Sequence, residues 1–545
     1  MSSNSDVRMG EYALRDIDVD GIAASFETVT TAGREQLIAR LSAPTADTTL
    51  LEKRRAELRR VRESCKSADV RADVTAARAV LRDTEADVRA VLEAKDDKRH
   101  AEYYNQVMWS PGSFTAFLNE RGWITELIVA FRTLLLPGMS VLMPIAILLM
   151  PVLLFRYVLK QPLTMEGYFK MIVTALKKAM PSVLGKPHFA GRGGAMELGE
   201  QVVHLGVSAA VFVGSIWSQI SAARALRGIV ADMRKRAASV RAASAAVTRL
   251  EELLGVQRDE SLPSWPLSDL GLFGQVWNTP ALAQRLLTRA GELDMLASLA
   301  LQKRVCFPRR GDHVALTDLY HPGTGARRVM NSVTLGGPTA RSRNVVLTGP
   351  NRGGKSTLLK SLGAAVLMAQ TVGVVFARRA VLPVFDAIIT ALQPADKLGK
   401  LSLFEAEIEF AKDVKALLAN GPTTFLMMDE IFHGTNAHDG VEASQVFLDD
   451  LYETTAPLFS VVSTHYMGLP ERYGPTGTKQ VQTLCMDAAT DPADPDRLIY
   501  TYTLKEGVNQ LSSVREILRE RGLLTTKTVC VALAGEKSVV SASKA

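Results

Sequence analysis

Little in this chain of 545 residues points to a fold stapled by disulfides or metal. Its four cysteines, at positions 65, 306, 485 and 530, are widely scattered and lack the paired spacing of a zinc site or a redox motif. Reduced thiols in a reducing compartment are the simplest expectation. A secretory opening is also missing: the first 25 residues are polar and acidic, not a basic stretch followed by an apolar one. Acidic residues are outnumbered, 57 against 64 Lys and Arg, for a formal net charge of +7. A basic chain meets nucleic acid or anionic lipid. Much of the surplus lies in residues 156–192 and 224–241, and both stretches flank apolar segments, so lipid explains it as well as DNA does.

Against this background stands Gly349-x-x-x-x-Gly354-Lys355-Ser356, placed between a strand-like run from Val345 and a helix-like run after Thr357. In such a loop, backbone N–H groups and a helix N-terminus cradle phosphate oxygens, the lysine reaches the outer phosphates, and the serine hydroxyl binds Mg²⁺. Thr424 to Met428 is an apolar run that ends in Asp429 and Glu430. A buried parallel strand delivers carboxylates at its C-terminal end in this way, where ligand sites of open α/β sheets lie. Asp429 is placed to hold Mg²⁺ and Glu430 to orient an attacking water. A third strand-like run, Leu458 to Thr464, ends in His465, either a structural imidazole or a γ-phosphate contact.

Together these segments resemble the ATPase domain of the MutS mismatch-repair family, within the ABC class of P-loop ATPases. Thr348 to Thr357 has the family's form except at Arg352, where Met is usual; that added cation either tightens nucleotide binding or projects into solvent, and solvent is the expectation. Asp429 to Gly440 is similar to the family segment running from the Mg²⁺-binding Asp into a loop across a dimer interface. Phe432 and His433 stand there in place of Gly and Arg. Ser463 to Tyr466 resembles the switch-histidine segment. Ser402 to Glu407 resembles Ser-Thr-Phe-x-x-Glu, with Leu403 replacing Thr. Thr390 to Asp396 falls where the family has a loop ending in Asp near the nucleotide, and residues near Gly291 resemble the helix that closes the core and lever region.

The resemblance implies ATP and Mg²⁺ as ligands. Nucleotide contacts would come from Gly349, Pro350, Asn351, Gly353, Gly354, Lys355, Ser356 and Thr357, and metal contacts from Ser356 and Asp429. Lys355, Glu430 and His465 would be catalytic. In a head-to-tail homodimer, Ser402 of one protomer would complete the other's site. Leu319-Tyr320-His321-Pro322 resembles the Arg-His-Pro segment that opens the domain. Tyr320 or His321 packs on adenine, or the segment is a strand entry whose turn Pro322 fixes.

Residues 133–155 are uncharged and long enough to span a hydrocarbon core, with Pro137, Pro144 and Pro151 seven apart. Membrane helices tolerate such prolines better than soluble ones, although a break into a re-entrant hairpin is also compatible. A second run, 202–220, has a small-residue face at Gly206, Ala209, Ala210 and Gly214, suited to close helix packing in a membrane or in a core. Upstream, Val70, Val74, Ala77, Leu81, Thr84, Val88 and Val91 alternate steps of four and three. That seam predicts a short coiled coil or a helix packed intramolecularly.

The expected architecture is an α/β P-loop ATPase domain over 307–524. Before it come an N-terminal segment (1–45), a helical arm (46–125), a membrane-associated region (126–222) and an all-α core or lever region (223–306); a tail (525–545) follows. The family's mismatch wedge Phe-x-Glu has no counterpart, since Phe26-Glu27 lacks the spacer. Two readings stay open. One is a DNA-binding clamp related to mismatch repair, gated by ATP as a dimer at a membrane. The other is a membrane-bound mechanochemical or scaffold ATPase without DNA. In both, the ATPase faces the cytoplasm or an equivalent ATP-containing, reducing compartment. One ATPase domain with at most two spans does not build a transporter's translocation path alone.

Overall fold

Apolar runs of strand length alternate with helix-length segments after residue 307, the pattern of a sheet covered on both faces. The computed structural model describes residues 6–96, 102–110, 113–160, 164, 166–168, 170, 171, 174, 194–338, 340, 342–392, 402–466, 468–473 and 481–523. Its strands are β1 (Arg8–Met9), β2 (Arg309–Arg310), β3 (Val314–Leu319), β4 (Asn331–Leu335), β5 (Asn344–Thr348), β6 (Arg379–Leu382), β7 (Ala387–Ala391), β8 (Thr424–Met428), β9 (Leu458–Ser463), β10 (Gln482–Asp491) and β11 (Asp494–Glu506). The helices up to the middle of the chain are α1 (Ala13–Ile17), α2 (Val19–Ala24), α3 (Thr31–Leu41), α4 (Thr48–Ser64), α5 (Ala68–Asp96), α6 (Gly122–Ala130), α7 (Leu136–Leu153) and α8 (Gly194–Leu254). They continue with α9 (Asp269–Asn278), α10 (Ala281–Leu301), α11 (Lys355–Ala369), α12 (Leu403–Leu418), α13 (Ala437–Tyr452), α14 (Leu469–Tyr473) and α15 (Val514–Glu520).

The chain divides into two compact units. The first comprises Met1–Ala79, Thr248–Arg258 and Ala290–Ala545; the second comprises Val80–Val247 and Asp259–Arg289. In the first, seven strands form a sheet in the order β1-β7-β8-β9-β5-β10-β11. All neighbours are parallel except the β10–β11 pair at one edge. Every residue of β8 and β9 is buried, as expected for central strands covered on both faces. Val414 and Leu418 of α12, with Phe447, Leu448 and Leu451 of α13, pack against Leu426, Met428 and Val462 of those strands. A smaller sheet has the order β2-β6-β3-β4.

The opposite edge of the large sheet comes from the start of the chain. β1 runs parallel to β7, with Arg8 opposite Ala387, and Gly10 N–H donates to the Ile388 carbonyl at 2.9 Å. Ile17 of α1 packs so closely on α11 that a Cβ at Gly363 would lie 2.8 Å from it. The N-terminal segment is thus part of the sheet unit. In the same unit the buried Asp294 receives Arg78 Nε at 2.7 Å, Thr30 Oγ1 at 2.7 Å, and the N–H groups of Val29 and Thr30. Four donors compensate the loss of hydration of that carboxylate.

The described residues of the second unit are mostly helical. Helix continues through Pro137 and Pro144 without a break, with π turns at Phe131–Leu135 and Leu154–Val158 beside α7. A proline displaces the carbonyl four residues earlier, and a π turn makes room for it. For Pro137 that carbonyl belongs to Thr133, and it accepts Arg227 Nη2 at 3.3 Å. Among the described residues one helical stretch, Gly122–Met143, is long and apolar enough to cross a membrane; it overlaps the expected run 133–155 only over 133–143, and 11% of its apolar window is buried. Leu127, Leu134, Leu142 and Val158 are each more than 60% exposed. The run 202–220 lies within α8. Along α5, Val74, Ala77, Leu81, Val88 and Val91 are buried. Asp87 of α5 pairs with Lys235 and Ser239 of α8, so in this chain the upper seam packs intramolecularly.

Candidate active site

β5, β8 and β9 are adjacent and parallel, so their C-terminal ends open at one rim of the sheet. The Gly-rich loop follows β5. Gly349 at φ 140° and Gly354 at φ 97° adopt backbone forms that a side chain disfavours. Arg352 adopts φ 66° despite its Cβ. Lys355 opens α11 and is buried; its Nζ donates to the carbonyls of Gly349 at 3.0 Å and Pro350 at 3.4 Å. Burial pushes its ammonium below the ordinary lysine value, opposed by Glu430 and Asp429. A desolvated cation held only by carbonyls in a loop of backbone N–H groups is suited to an incoming anion.

At the end of β8 the two oxygens of Asp429 accept from Ser356 Oγ, at 2.5 Å, and from Ser463 Oγ of β9. Ser356 and Asp429, predicted 73 residues apart as one metal pair, are thus in contact. Their oxygens are the hard donors that Mg²⁺ takes. The Asp429 N–H donates to the Ala391 carbonyl of β7 at 2.9 Å. Glu430 at φ 57° and Phe432 at φ 53° are both left-handed, and Phe432 occupies the position where the resemblance places Gly. Non-glycine residues held there store of order 1–3 kcal/mol each, as is common at functional sites.

The Glu430 carboxylate is joined by His465 Nε2. That hydrogen bond, with the charges of His465, Lys355 and His433, holds Glu430 below the ordinary glutamate value against the effect of burial. His465 therefore meets Glu430 itself. His433 Nδ1 lies 2.8 Å from the Glu430 carbonyl and 2.9 Å from Glu407 Oε1. Glu407 also accepts the Gly434 N–H at 3.2 Å, so α12 is latched to the loop after β8. Ser402 caps the start of α12 in a reciprocal box with Glu405 and is exposed. Gln393 to Asp396, the far part of the predicted Thr390–Asp396 loop, lies outside the described residues.

Tyr320 and His321 line a cavity of about 490 Å³ with Asn351, Lys355, Glu430 and Tyr502. Tyr320 is largely committed: its ring meets Phe376 edge-on and its hydroxyl donates to the Arg304 carbonyl at 3.0 Å. Buried His321 accepts the Gly323 N–H through Nδ1, which assigns its proton to Nε2, and that nitrogen has no partner. Burial lowers its pKa and keeps the ring neutral.

Two residues of this rim add to the sequence reading. Arg352 is exposed, as expected, and it also pairs there with Glu520 of α15. Tyr502 has no distinguishing motif in Tyr500-Thr501-Tyr502-Thr503. Met486 pairs with Leu504 and Ala488 with Tyr500, so Asp487 faces three residues across a bulge. Tyr502 sits in it at φ 57°, its carbonyl accepting from Asn331 Nδ2 at 3.1 Å. The bulge brings its ring within 3.3 Å of where a Cβ on Gly354 would lie.

Residues 345–525 match the family model for MutS domain V. The DNA mismatch repair protein MutS of Shouchella clausii (strain KSM-K16) is 36% identical over 197 residues, 34% of this chain and 22% of that protein. MutS of Thermus aquaticus is 32% identical over 197 residues, 34% of this chain and 23% of that protein. DNA mismatch repair protein Msh3 of Dictyostelium discoideum is 28% identical over 302 residues, 51% of this chain and 20% of that protein. These matches support the MutS family for the ATPase-type region, while the chain spans about a fifth of the length of these relatives.

Proposed function

We propose that this protein binds ATP with Mg²⁺ and hydrolyses it as a MutS-type homodimer attached to a membrane. The observation that carries this reading is the meeting of Lys355, Ser356, Asp429 and Glu430 at the C-terminal ends of β5 and β8, the parallel strands on either side of β9. The Gly349–Thr357 loop and Lys355 take the triphosphate, and Ser356 and Asp429 would hold Mg²⁺, which neutralises charge on the phosphates when bound. Glu430, kept ionised by His465, accepts a hydrogen bond from the attacking water and orients it. Tyr502 offers an aromatic face to the base. Ser402 lies exposed at the start of α12 and, in the proposed dimer, would contact the γ-phosphate held by the second protomer.

Composite sites give a complementation test. Lys355→Ala and Ser402→Ala are each expected to be inactive alone, whereas an equimolar mixture regains phosphate release, because one of the two sites in a mixed dimer keeps both residues. Failure of the mixture to regain activity, with dimers present, rules out the shared site. His465 supplies a pH test. Glu430 must be ionised, so turnover falls as pH drops through its pKa, which lies below the ordinary value of 4.5. His465→Ala removes the largest lowering influence and is expected to move the acid limb of the kcat profile upward; an unmoved limb counts against this role.

The apolar helix Gly122–Met143 supports the membrane attachment. On DNA, the basic stretch of α8 is informative. Of the six cations in residues 224–241, Lys235 pairs with Asp87, Arg236 with Asp232 and Arg241 with Asp269, so half of them are engaged by acids. The reading favoured here is a membrane-bound mechanochemical ATPase. A mobility shift with matched and mismatched duplexes over a salt series tests it, since phosphate contacts weaken steeply with salt. No shift is expected at low salt; a mismatch-selective shift restores the mismatch-repair reading that the relatives' names suggest.

A further inference from the structure

We infer that Asp16, on the N-terminal segment, is a positioning residue for the Mg²⁺-binding carboxylate Asp429; this rests on the proposed ATPase reading. Asp16 lies in α1, is fully buried, and is 413 residues from Asp429 in sequence (429 minus 16). Its Oδ2 accepts the Leu392 N–H at 3.1 Å and Thr390 Oγ1 at 2.9 Å, and Arg15 lies 3.3 Å from Oδ1. The peptide group that presents the Leu392 N–H also presents the Ala391 carbonyl, and that carbonyl accepts the Asp429 N–H at 2.9 Å. One peptide plane is therefore held by the Asp16 carboxylate on one side and holds Asp429 on the other.

Such a chain is cooperative. A negative charge at the N–H end polarises the peptide and strengthens the acceptor at its carbonyl end, more so in a buried setting. The far end is the residue whose two oxygens meet Ser356 and Ser463. At the end of β8, Asp429 is followed by the left-handed Glu430, so regular pairing with β7 stops there. The clamp on Thr390 and Leu392 is what keeps the last peptide of β7 in line. β1 and α1 thus do more than cover an edge: they fix the plane against which the metal carboxylate is set. Partners that orient metal ligands through hydrogen bonds tune metal affinity strongly when removed.

The full-length protein in detergent tests this with Asp16→Ala, Asp16→Asn and wild type. Asn keeps an oxygen for both donors but loses the charge. Asp16→Ala is expected to raise the Mg²⁺ concentration for half-maximal turnover about tenfold, with kcat at saturating Mg²⁺ within about twofold of wild type, and Asp16→Asn is expected to recover part of the shift. ATP-analogue affinity measured without metal stays unchanged. Hydrogen exchange supplies an arm independent of turnover: the amides of Leu392 and Asp429 lose protection in Asp16→Ala while those of β5 and β9 keep theirs. A folded Asp16→Ala protein with wild-type Mg²⁺ dependence, or with Asp429 fully protected, overturns the inference. If wild type neither binds nor hydrolyses ATP, the ATPase reading fails, and the exchange arm alone decides whether Asp16 sets Asp429.

Discussion

Glu430→Gln lowers phosphate release by roughly 10³-fold while ATP affinity stays within about twofold of wild type. Gln has the same shape, so the left-handed turn at 430 and the hydrogen bond from His465 Nε2 both survive. What is lost is the negative charge that draws a proton of the attacking water. The phosphate loop, Lys355 and the Ser356–Asp429 pair are untouched, which is why binding persists. Removing one carboxylate near Lys355 also strengthens that ammonium's pull on phosphate, since Glu430 is the larger of its two counter-charges. Phosphate release and binding of a fluorescent ATP analogue, measured side by side, check this. A variant that turns over at the wild-type rate removes Glu430 from the mechanism.

The second large effect concerns the apolar helix. Wild-type protein is expected to stay in the pellet on carbonate extraction, and the double variant Leu134→Arg with Leu142→Arg to move to the supernatant. Both leucines are 65% exposed, so the arginines displace no internal packing. At the centre of a bilayer each arginine costs about 3 kcal/mol, together a shift of more than about 10³-fold in partition. A helix serving a soluble core would show the reverse pattern, with these leucines buried and the arginines destabilising the fold itself. Complete release of the wild type on carbonate treatment removes the membrane from the proposal.

The phosphate loop was readable because its chemistry is local. Eight consecutive residues from Gly349 to Ser356 contain the glycines, the amine and the hydroxyl, and their flanks encode the strand and helix that aim them. Asp429, Glu430 and His465 were readable for a related reason: each ends an apolar run, and a parallel strand places its C-terminal residue at the rim wherever the strand sits in the sheet. The seam from Val70 to Val91 was visible by spacing, but spacing has no direction, and only the contact of Asp87 with Lys235 and Ser239 selects a partner within the chain.

Other features had no local trace. A two-residue strand, Arg8–Met9, carries no periodicity, yet it closes the sheet edge and brings a buried acid beside Leu392, 376 residues away. Tyr502 reaches the cavity through a register slip against Asp487, a property of two strands together. The pairing of exposed Arg352 with Glu520 depends on the placement of α15. By itself, then, the sequence determined the phosphate loop, the strand-end acids and the apolar helix, since each is written in neighbouring residues. The tertiary structure decided which distant groups hold them in place, because hydrogen bonds and ion pairs act over a few ångströms of space whatever the separation along the chain.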